Sequence, residues 1–301
     1  MGVVPSREAQ GRVAGDGVEL AFGFWPGRGQ PIVALHGITA SYVNFVGIAE
    51  RLAGRRPLLA LDLRGRGGSD KPEGGPYGMS QHARDVAAAM AAFGLDDSVV
   101  VGHSMGAFVA AAVAAEHPDR VAGVMMIDGG LPLTAPPGVD PVALLDVVLG
   151  PQLARLRQEF PSREAYYDYW RPLPAFPADV WGPWVHAYLD YDLGGTEPKL
   201  RPRASEAAIR ADYLDTLDAD LLRKRLAAIE VPVTLLTAEE GFYPGQPPLY
   251  PDALVQAESA AVTRFAHQRV SPTTHYTIAL ADHGATVCAD ALVAFAEQWG
   301  K

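Results

Sequence analysis

Ser104 sits in the pentapeptide Gly102-His103-Ser104-Met105-Gly106, directly after the β-branched run Val99-Val100-Val101 and directly before an Ala-rich stretch that reaches Glu116. In that setting the hydroxyl is a candidate nucleophile, because a sharp strand-to-helix turn lifts it clear of the sheet. Gly102 and Gly106 remove side chains that would collide with neighbouring backbone, and the helix that follows points its amide dipoles at the site. The chemistry this suits is attack on a carbonyl carbon with a covalent acyl intermediate.

Positioning such a serine requires a sheet, and the chain supplies one. Gly11 to Trp25 predicts a hairpin turned at Asp16-Gly17. Apolar runs at Pro31 to Leu35, Pro57 to Leu63, Ser98 to Val101, Val121 to Ile127, Val231 to Thr237 and Arg264 to Val270 predict six further strands. Between them lie helical segments at Ser41 to Leu52, Gln81 to Phe93 with Ser80 as its cap, Met105 to Glu116 and Ala285 to Trp299. Continuous apolar runs alternating with helices predict an α/β fold, with a mainly parallel eight-stranded sheet covered on both faces.

One stretch breaks the alternation. From Leu131 to about Leu222 no buried-strand run occurs, prolines recur, and ten aromatic residues fall between Phe160 and Tyr191. This predicts a helical cap inserted into the core, dividing the chain into residues 1–130, 131–222 and 223–301. Most of the aromatics are expected to form the insertion's own core. Trp170, Trp181 and Trp184 are expected to supply at least one residue to a pocket over Ser104, because an insertion leaving after the Val121 to Ile127 strand emerges at the carboxyl ends, where ligands bind.

Composition excludes several other roles. Thirty-five acidic against 25 basic residues give a net charge of −10, with no Lys/Arg cluster to follow a phosphate backbone, so nucleic acid is not an expected partner. No apolar run reaches the roughly 18 to 20 residues of a membrane span, and the N-terminus lacks a signal-type segment, so the expected location is the cytoplasm. The opening Met-Gly-x-x-x-Ser matches a myristoylation pattern too short to carry weight. Cys288, the single cysteine, is expected to pack, and no cofactor or metal is implied.

Four segments together resemble the α/β-hydrolase fold family: Leu35-His-Gly-Ile38, Asp62-Leu-Arg-Gly-Arg-Gly-Gly-Ser-Asp70, Gly102-His-Ser-Met-Gly106 and Pro118-Asp-Arg-Val121. The resemblance covers essentially the whole chain. It implies a nucleophile, an acid and a histidine in that chain order, with an oxyanion hole of two backbone amides. The amides implied are those of Ile38 and Met105. His36 is read as structural, and Asp62 to Asp70 as a charged turn beside the oxyanion strand rather than a phosphate cradle.

Three histidines lie late enough to be the base. His275, in a loop after the last strand, is preferred over His283, which opens the final helix, and over His267, committed to packing within a strand. The acid departs from the commonest pattern, because Gly241 occupies the slot after the Val231 to Thr237 strand where most relatives place Asp. Asp128, at the end of the preceding strand, is the first choice, with Glu239 or Glu240 as alternatives. These residues imply a serine hydrolase acting on an ester or lactone of an apolar or aromatic small molecule. Carbon-carbon bond hydrolases, thioesterases and cofactor-free peroxidases use the same parts, and so does a non-catalytic receptor that keeps the serine.

Overall fold

Eight strands align in a single sheet whose inner strands are buried on both faces, whereas the edge strands at either end carry exposed polar side chains. The computed structural model describes residues 9–133 and 140–300, those of 141–148 by their backbone alone; the Met-Gly-x-x-x-Ser pattern lies outside the described residues. In chain order the strands are β1 (Ala9–Ala14), β2 (Glu19–Trp25), β3 (Ile32–Leu35), β4 (Leu58–Leu61), β5 (Ser98–His103), β6 (Val121–Ile127), β7 (Leu193–Thr196), β8 (Lys199–Pro202), β9 (Val233–Ala238) and β10 (Phe265–Val270). The helices are α1 (Val46–Leu52), α2 (Met79–Phe93), α3 (Met105–Glu116), α4 (Pro141–Leu156), α5 (Arg163–Trp170), α6 (Pro183–Asp192), α7 (Glu206–Thr216), α8 (Ala219–Ala228), α9 (Asp252–Ser259), α10 (Thr277–Leu280) and α11 (Asp282–Trp299).

The main sheet runs β1-β2-β4-β3-β5-β6-β9-β10, parallel from β4 to β10, with β2 antiparallel to both of its neighbours. Strand alternation divides its residues between two cores. Val33, Leu61, Val100, Val124 and Leu235 face one side, under α2, α3 and α8. Ala34, Ala60, Val101, Met125 and Leu236 face the other, under α1 and α11. Cys288 packs in this second core, where burial pushes its thiol up to about 12. Among the described residues no helix is long and apolar enough to cross a membrane.

Between β6 and β9 the chain makes the expected excursion, carrying α4 to α7, and returns through α8, which spans the expected end at Leu222 and packs on the sheet. The excursion is not wholly helical. The short hairpin β7–β8 was missed because each strand has only four residues, with Leu193 and Leu200 buried among polar neighbours that face solvent. The excursion has an aromatic core in which Arg155 pairs with Asp192 and Tyr166, while its guanidinium lies 5.3 Å from the Trp170 ring.

Buried charge ties the excursion to the sheet. Asp212 and Asp215 lie three apart on α7, one face of a helix, and accept the amides of Gly78 and Met79 at 2.6 and 2.7 Å. These carboxylates, not Ser80, cap α2; the Ser80 hydroxyl instead donates to Glu116 at 2.8 Å. Asp212 also pairs with Arg66 and with His82, all three fully buried. Burial opposes ionisation of Asp212, but Arg66, then His82 and the Gly78 amide overcome it and hold the carboxyl well below its ordinary value.

A carboxyl depressed in the fold stabilises it above the unfolded-chain pKa of about 3.9, and that contribution is lost as pH falls through the folded value. Asp212→Asn should therefore cost about 3 kcal/mol at pH 7, because it leaves Arg66 buried without its counter-charge. Urea melts from pH 7 down to pH 3 should show the difference between wild type and variant shrinking below pH 4; a constant difference would show that the ion pair is not its source.

Candidate active site

Ser104 is placed by a backbone that few side-chain-bearing residues adopt. Its φ of 55° and ψ of −122° lie between the end of β5 and the first turn of α3, a strain on the order of 1–3 kcal/mol that surrounding structure must hold. The Ser104 amide donates to the Ile127 carbonyl at 2.9 Å, anchoring the turn to β6. A Cβ on Gly102 would lie 2.0 Å from the Gly106 carbonyl oxygen, and one on Gly106 would lie 1.9 Å from that of Leu35. Glycine is required at both positions because β3, β5 and α3 touch there through backbone.

His275 lies in the loop after β10, as expected, and its imidazole Nδ1 is 2.7 Å from Asp128 Oδ2. A carboxylate oxygen accepts, so Nδ1 carries the proton and Nε2 keeps its lone pair. Asp128 follows β6 with φ 44°, and its other oxygen accepts the Ala238 amide at 3.1 Å. Both groups are buried, Asp128 at 1% and His275 at 5% exposure. The alternative acids face elsewhere: Glu239 accepts from the Ser271 hydroxyl at 2.6 Å, and Glu240 from the Gly245 amide at 2.9 Å.

His36, His267 and His283 are accounted for by local bonds. His36 donates from Nδ1 to the Gly37 carbonyl at 2.7 Å and accepts the Leu63 amide on Nε2 at 3.0 Å. Burial pushes it down to about 3, so it stays neutral and joins the end of β3 to the loop after β4. His267 stands on the exposed edge strand against the Thr237 hydroxyl, rather than packed inside the sheet, because β10 closes the sheet with no strand beyond it among the described residues. His283 is exposed at the start of α11, bonded to the Ser271 carbonyl at 2.8 Å.

A cavity of about 310 Å³ brings Ser104 and His275 into one wall, together with Ile38 and Met105. Arg66 donates from Nε to the Ile38 carbonyl at 2.9 Å and reaches to 3.8 Å from Met105 Sδ, so one buried guanidinium braces both residues. The loop from Asp62 to Asp70 thus acts as support: Asp62 accepts the Tyr42 and Gly68 amides and the Tyr191 hydroxyl, each at 2.7 Å. Among the described residues no group of three His, Cys, Asp or Glu side chains is arranged to hold a metal ion.

None of Trp170, Trp181 and Trp184 lines this cavity. Trp170 is 2% exposed within the excursion's core, and Trp181 and Trp184 line a separate cavity of about 730 Å³ on the other side of the loop that carries His275. Their rings are occupied, with Trp181 donating to the Phe176 carbonyl and Trp184 to Glu50. The aromatic wall is built from Tyr188, Tyr213, Phe242, Tyr243 and Tyr276 instead, with Phe108, Leu133 and Leu149. Of these the sequence signalled only some: Phe242-Tyr243 follow Gly241 in the slot without an Asp, and Tyr276 adjoins His275.

A protein-family model described as the alpha/beta hydrolase fold matches residues 30–243. The 2-(acetamidomethylene)succinate hydrolase of Mesorhizobium japonicum is 38% identical over 183 residues, 61% of this chain and 62% of that protein. The N-formylmaleamate deformylase of Pseudomonas putida is 33% identical over 120 residues, 40% of this chain and 45% of that protein. The match thus spans less than two thirds of either relative. A crystal structure of E-2-(acetamidomethylene)succinate hydrolase superposes with a TM-score of 0.79 at 25% identity, covering 97% of this chain and 100% of that one. A thioesterase domain from the curacin biosynthetic pathway superposes at 0.70 with 19% identity, over 96% of this chain and 98% of that one, a likeness of fold alone. With the sheet order, the turn at Ser104 and a family match over most of its length in agreement, the chain belongs to the α/β-hydrolase fold family.

Proposed function

We propose that the protein is a serine hydrolase that cleaves an uncharged carboxylic ester or lactone of an apolar or aromatic small molecule through an acyl-enzyme. The observation that carries this reading is the 2.7 Å bond from His275 to Asp128, made in the wall of the cavity that also holds Ser104. With Nδ1 donating to the carboxylate, Nε2 takes the Ser104 proton as the hydroxyl attacks the carbonyl carbon. Asp128 stabilises the imidazolium, and the amides of Ile38 and Met105 stabilise the oxyanion. His275 then protonates the departing alkoxide. Water, activated by the same imidazole, releases the acyl group and restores the serine.

The lining argues for an uncharged substrate. 2-(Acetamidomethylene)succinate and N-formylmaleamate, for which two relatives are named, are carboxylates. Here no lysine or arginine lines the cavity among the described residues, and the chain from 134 to 148 contains no basic residue. Moving a carboxylate from water into such a chamber costs several kcal/mol with no cation to offset it. Phenols, phenyl rings and leucines favour an apolar acyl or alcohol part instead, held under the excursion from Leu131 to Leu222 acting as a cap.

Fluorophosphonate labelling mapped by mass spectrometry should modify Ser104 alone, and Ser104→Ala should abolish it. On a neutral aryl ester, Asp128→Asn should lower kcat by about 10³ to 10⁴, whereas Glu239→Gln and Glu240→Gln should stay within about twofold of wild type. A folded protein that neither labels nor turns over would make a ligand-binding relative the better reading. The same ester bearing a carboxylate should lose at least about a hundredfold in kcat/KM; equal rates would remove the argument from the lining.

A further inference from the structure

His103, the residue before the candidate nucleophile, is a buried imidazole with no part in the steps above. It is 4% exposed, and both of its ring nitrogens are bonded. Nε2 lies 3.0 Å from the main-chain carbonyl oxygen of His275, and Nδ1 lies 3.2 Å from the side-chain amide nitrogen of Asn44. A carbonyl only accepts, so the ring proton is on Nε2. Nδ1 therefore accepts the Asn44 N–H, which fixes the tautomer. The His103 and His275 rings stand 4.8 Å apart, inclined by 35°.

We propose that His103 is a positioning residue, a ruler that spans from the peptide carrying Ser104 to the peptide carrying His275 and sets the distance between hydroxyl and imidazole. This rests on the serine-hydrolase reading. The other bonds of the loop from Ser271 to Thr277 to the sheet run to the ends of β9 and β10: Thr273 accepts the Glu240 amide at 3.0 Å and donates to the Val270 carbonyl at 2.5 Å, and Ser271 donates to Glu239. His275 is gripped at three points: its amide donates to the Gly241 carbonyl at 2.9 Å, its Nδ1 donates to Asp128, and its carbonyl accepts from His103. The first two come from β9, β6 and the loops after them. The third alone originates on the β5–α3 turn, the element that holds Ser104, so it registers base against nucleophile directly.

The neutral state of His103 suits this task. Burial, then the neighbouring His275, pushes its pKa well below the ordinary value. An uncharged ring donates its bond without opposing the imidazolium that His275 becomes. Asn44 completes the arrangement from the short turn Tyr42–Phe45, and its amide is 2% exposed.

Gln and Leu separate this role from simple packing, because a Gln amide nitrogen reaches about as far as Nε2 whereas Leu fills space without a donor. With a neutral aryl ester, His103→Leu should lower kcat by about tenfold to a hundredfold with KM within about threefold, and His103→Gln should recover most of the loss. Hydrogen exchange, which needs no turnover, should quicken at the 274–278 amides in His103→Leu and stay near wild type in His103→Gln. Asn44→Ala should show the same pattern more weakly, and serves if the leucine variant does not fold. Wild-type exchange in this loop for both His103→Leu and Asn44→Ala, or an equal fall in kcat for Leu and Gln, would overturn the assignment. Quickened exchange in a protein whose Ser104 never labels would instead uphold the ruler and overturn the hydrolase reading alone.

Discussion

Backbone contact between β3, β5 and α3 is the constraint from which the remaining geometry follows. A turn that holds Ser104 at φ 55° survives only where no side chain intervenes, and the missing Cβ atoms of Gly102 and Gly106 would fall within about 2 Å of carbonyl oxygens across the junction. That closeness puts the end of β3, and with it Gly37 and Ile38, beside the serine; a Cβ on Gly37 would already be 3.2 Å from the Ser104 Cβ. The same turn leans on β6 through the bond from the Ser104 amide to the Ile127 carbonyl, and the residue that follows β6 is Asp128. Ser104, the peptides of Gly37 and Ile38 and the Asp128 carboxylate are thus neighbours because β3, β5 and α3 meet without side chains between them.

A second layer of order is electrostatic. Arg66 lies fully buried between the sheet and α7, and its donors go to Ile38, to Arg64 and to Asp212. Asp212 in turn holds His82 and the amide of Gly78, the residue just before α2. One guanidinium therefore connects the peptide beside Ser104 to the excursion that roofs the cavity. A buried pair of this kind contributes little net stability over an apolar replacement, but its directionality restricts where α7 can sit. Through Arg66, the position of α7 is tied by directional bonds to the Ile38 peptide beside Ser104, which an apolar seam would not provide.

Which parts of this were readable in the chain depends on how local their cause is. Strands β3, β5, β6 and β9 are apolar on both faces, and a run such as Val99-Val100-Val101 has no other stable place than a covered sheet. Helix α3 was readable to both of its ends, since Ser104 opens it and His117-Pro118 closes it. Ser80 misled because α2 takes its cap from α7, some 130 residues later in the chain, and no local pattern reports that. The three tryptophans misled for a related reason: an aromatic residue has the same signature whether it fills the excursion's core or faces its cavity. Trp170 does the former, over Arg155, while Tyr188, from the same stretch, does the latter. Gly241 was the more informative observation, since a missing residue type at a defined offset directs attention to Asp128.

The position of that carboxylate also explains the cavity. With Asp128, just after β6, bonded to His275, and with Glu239 and Glu240 turned to Ser271 and the Gly245 amide, the residues from Gly241 on are released for other work. Gly241 gives its carbonyl to the His275 amide, Phe242 sets its ring edge-on to the imidazole at 4.8 Å, and Tyr243 stacks at 6.3 Å on Tyr276. A carboxylate at Gly241, beside Phe242 and Tyr243, would need its own solvation or hydrogen bonds next to the cavity wall, and would bring charge where the lining has none. Moving the acid one strand inward keeps the charge buried behind the imidazole, satisfied by the Ala238 amide, and leaves the substrate side apolar. The displacement of one aspartate and the uncharged character of the chamber are therefore the same structural fact seen from two sides of His275.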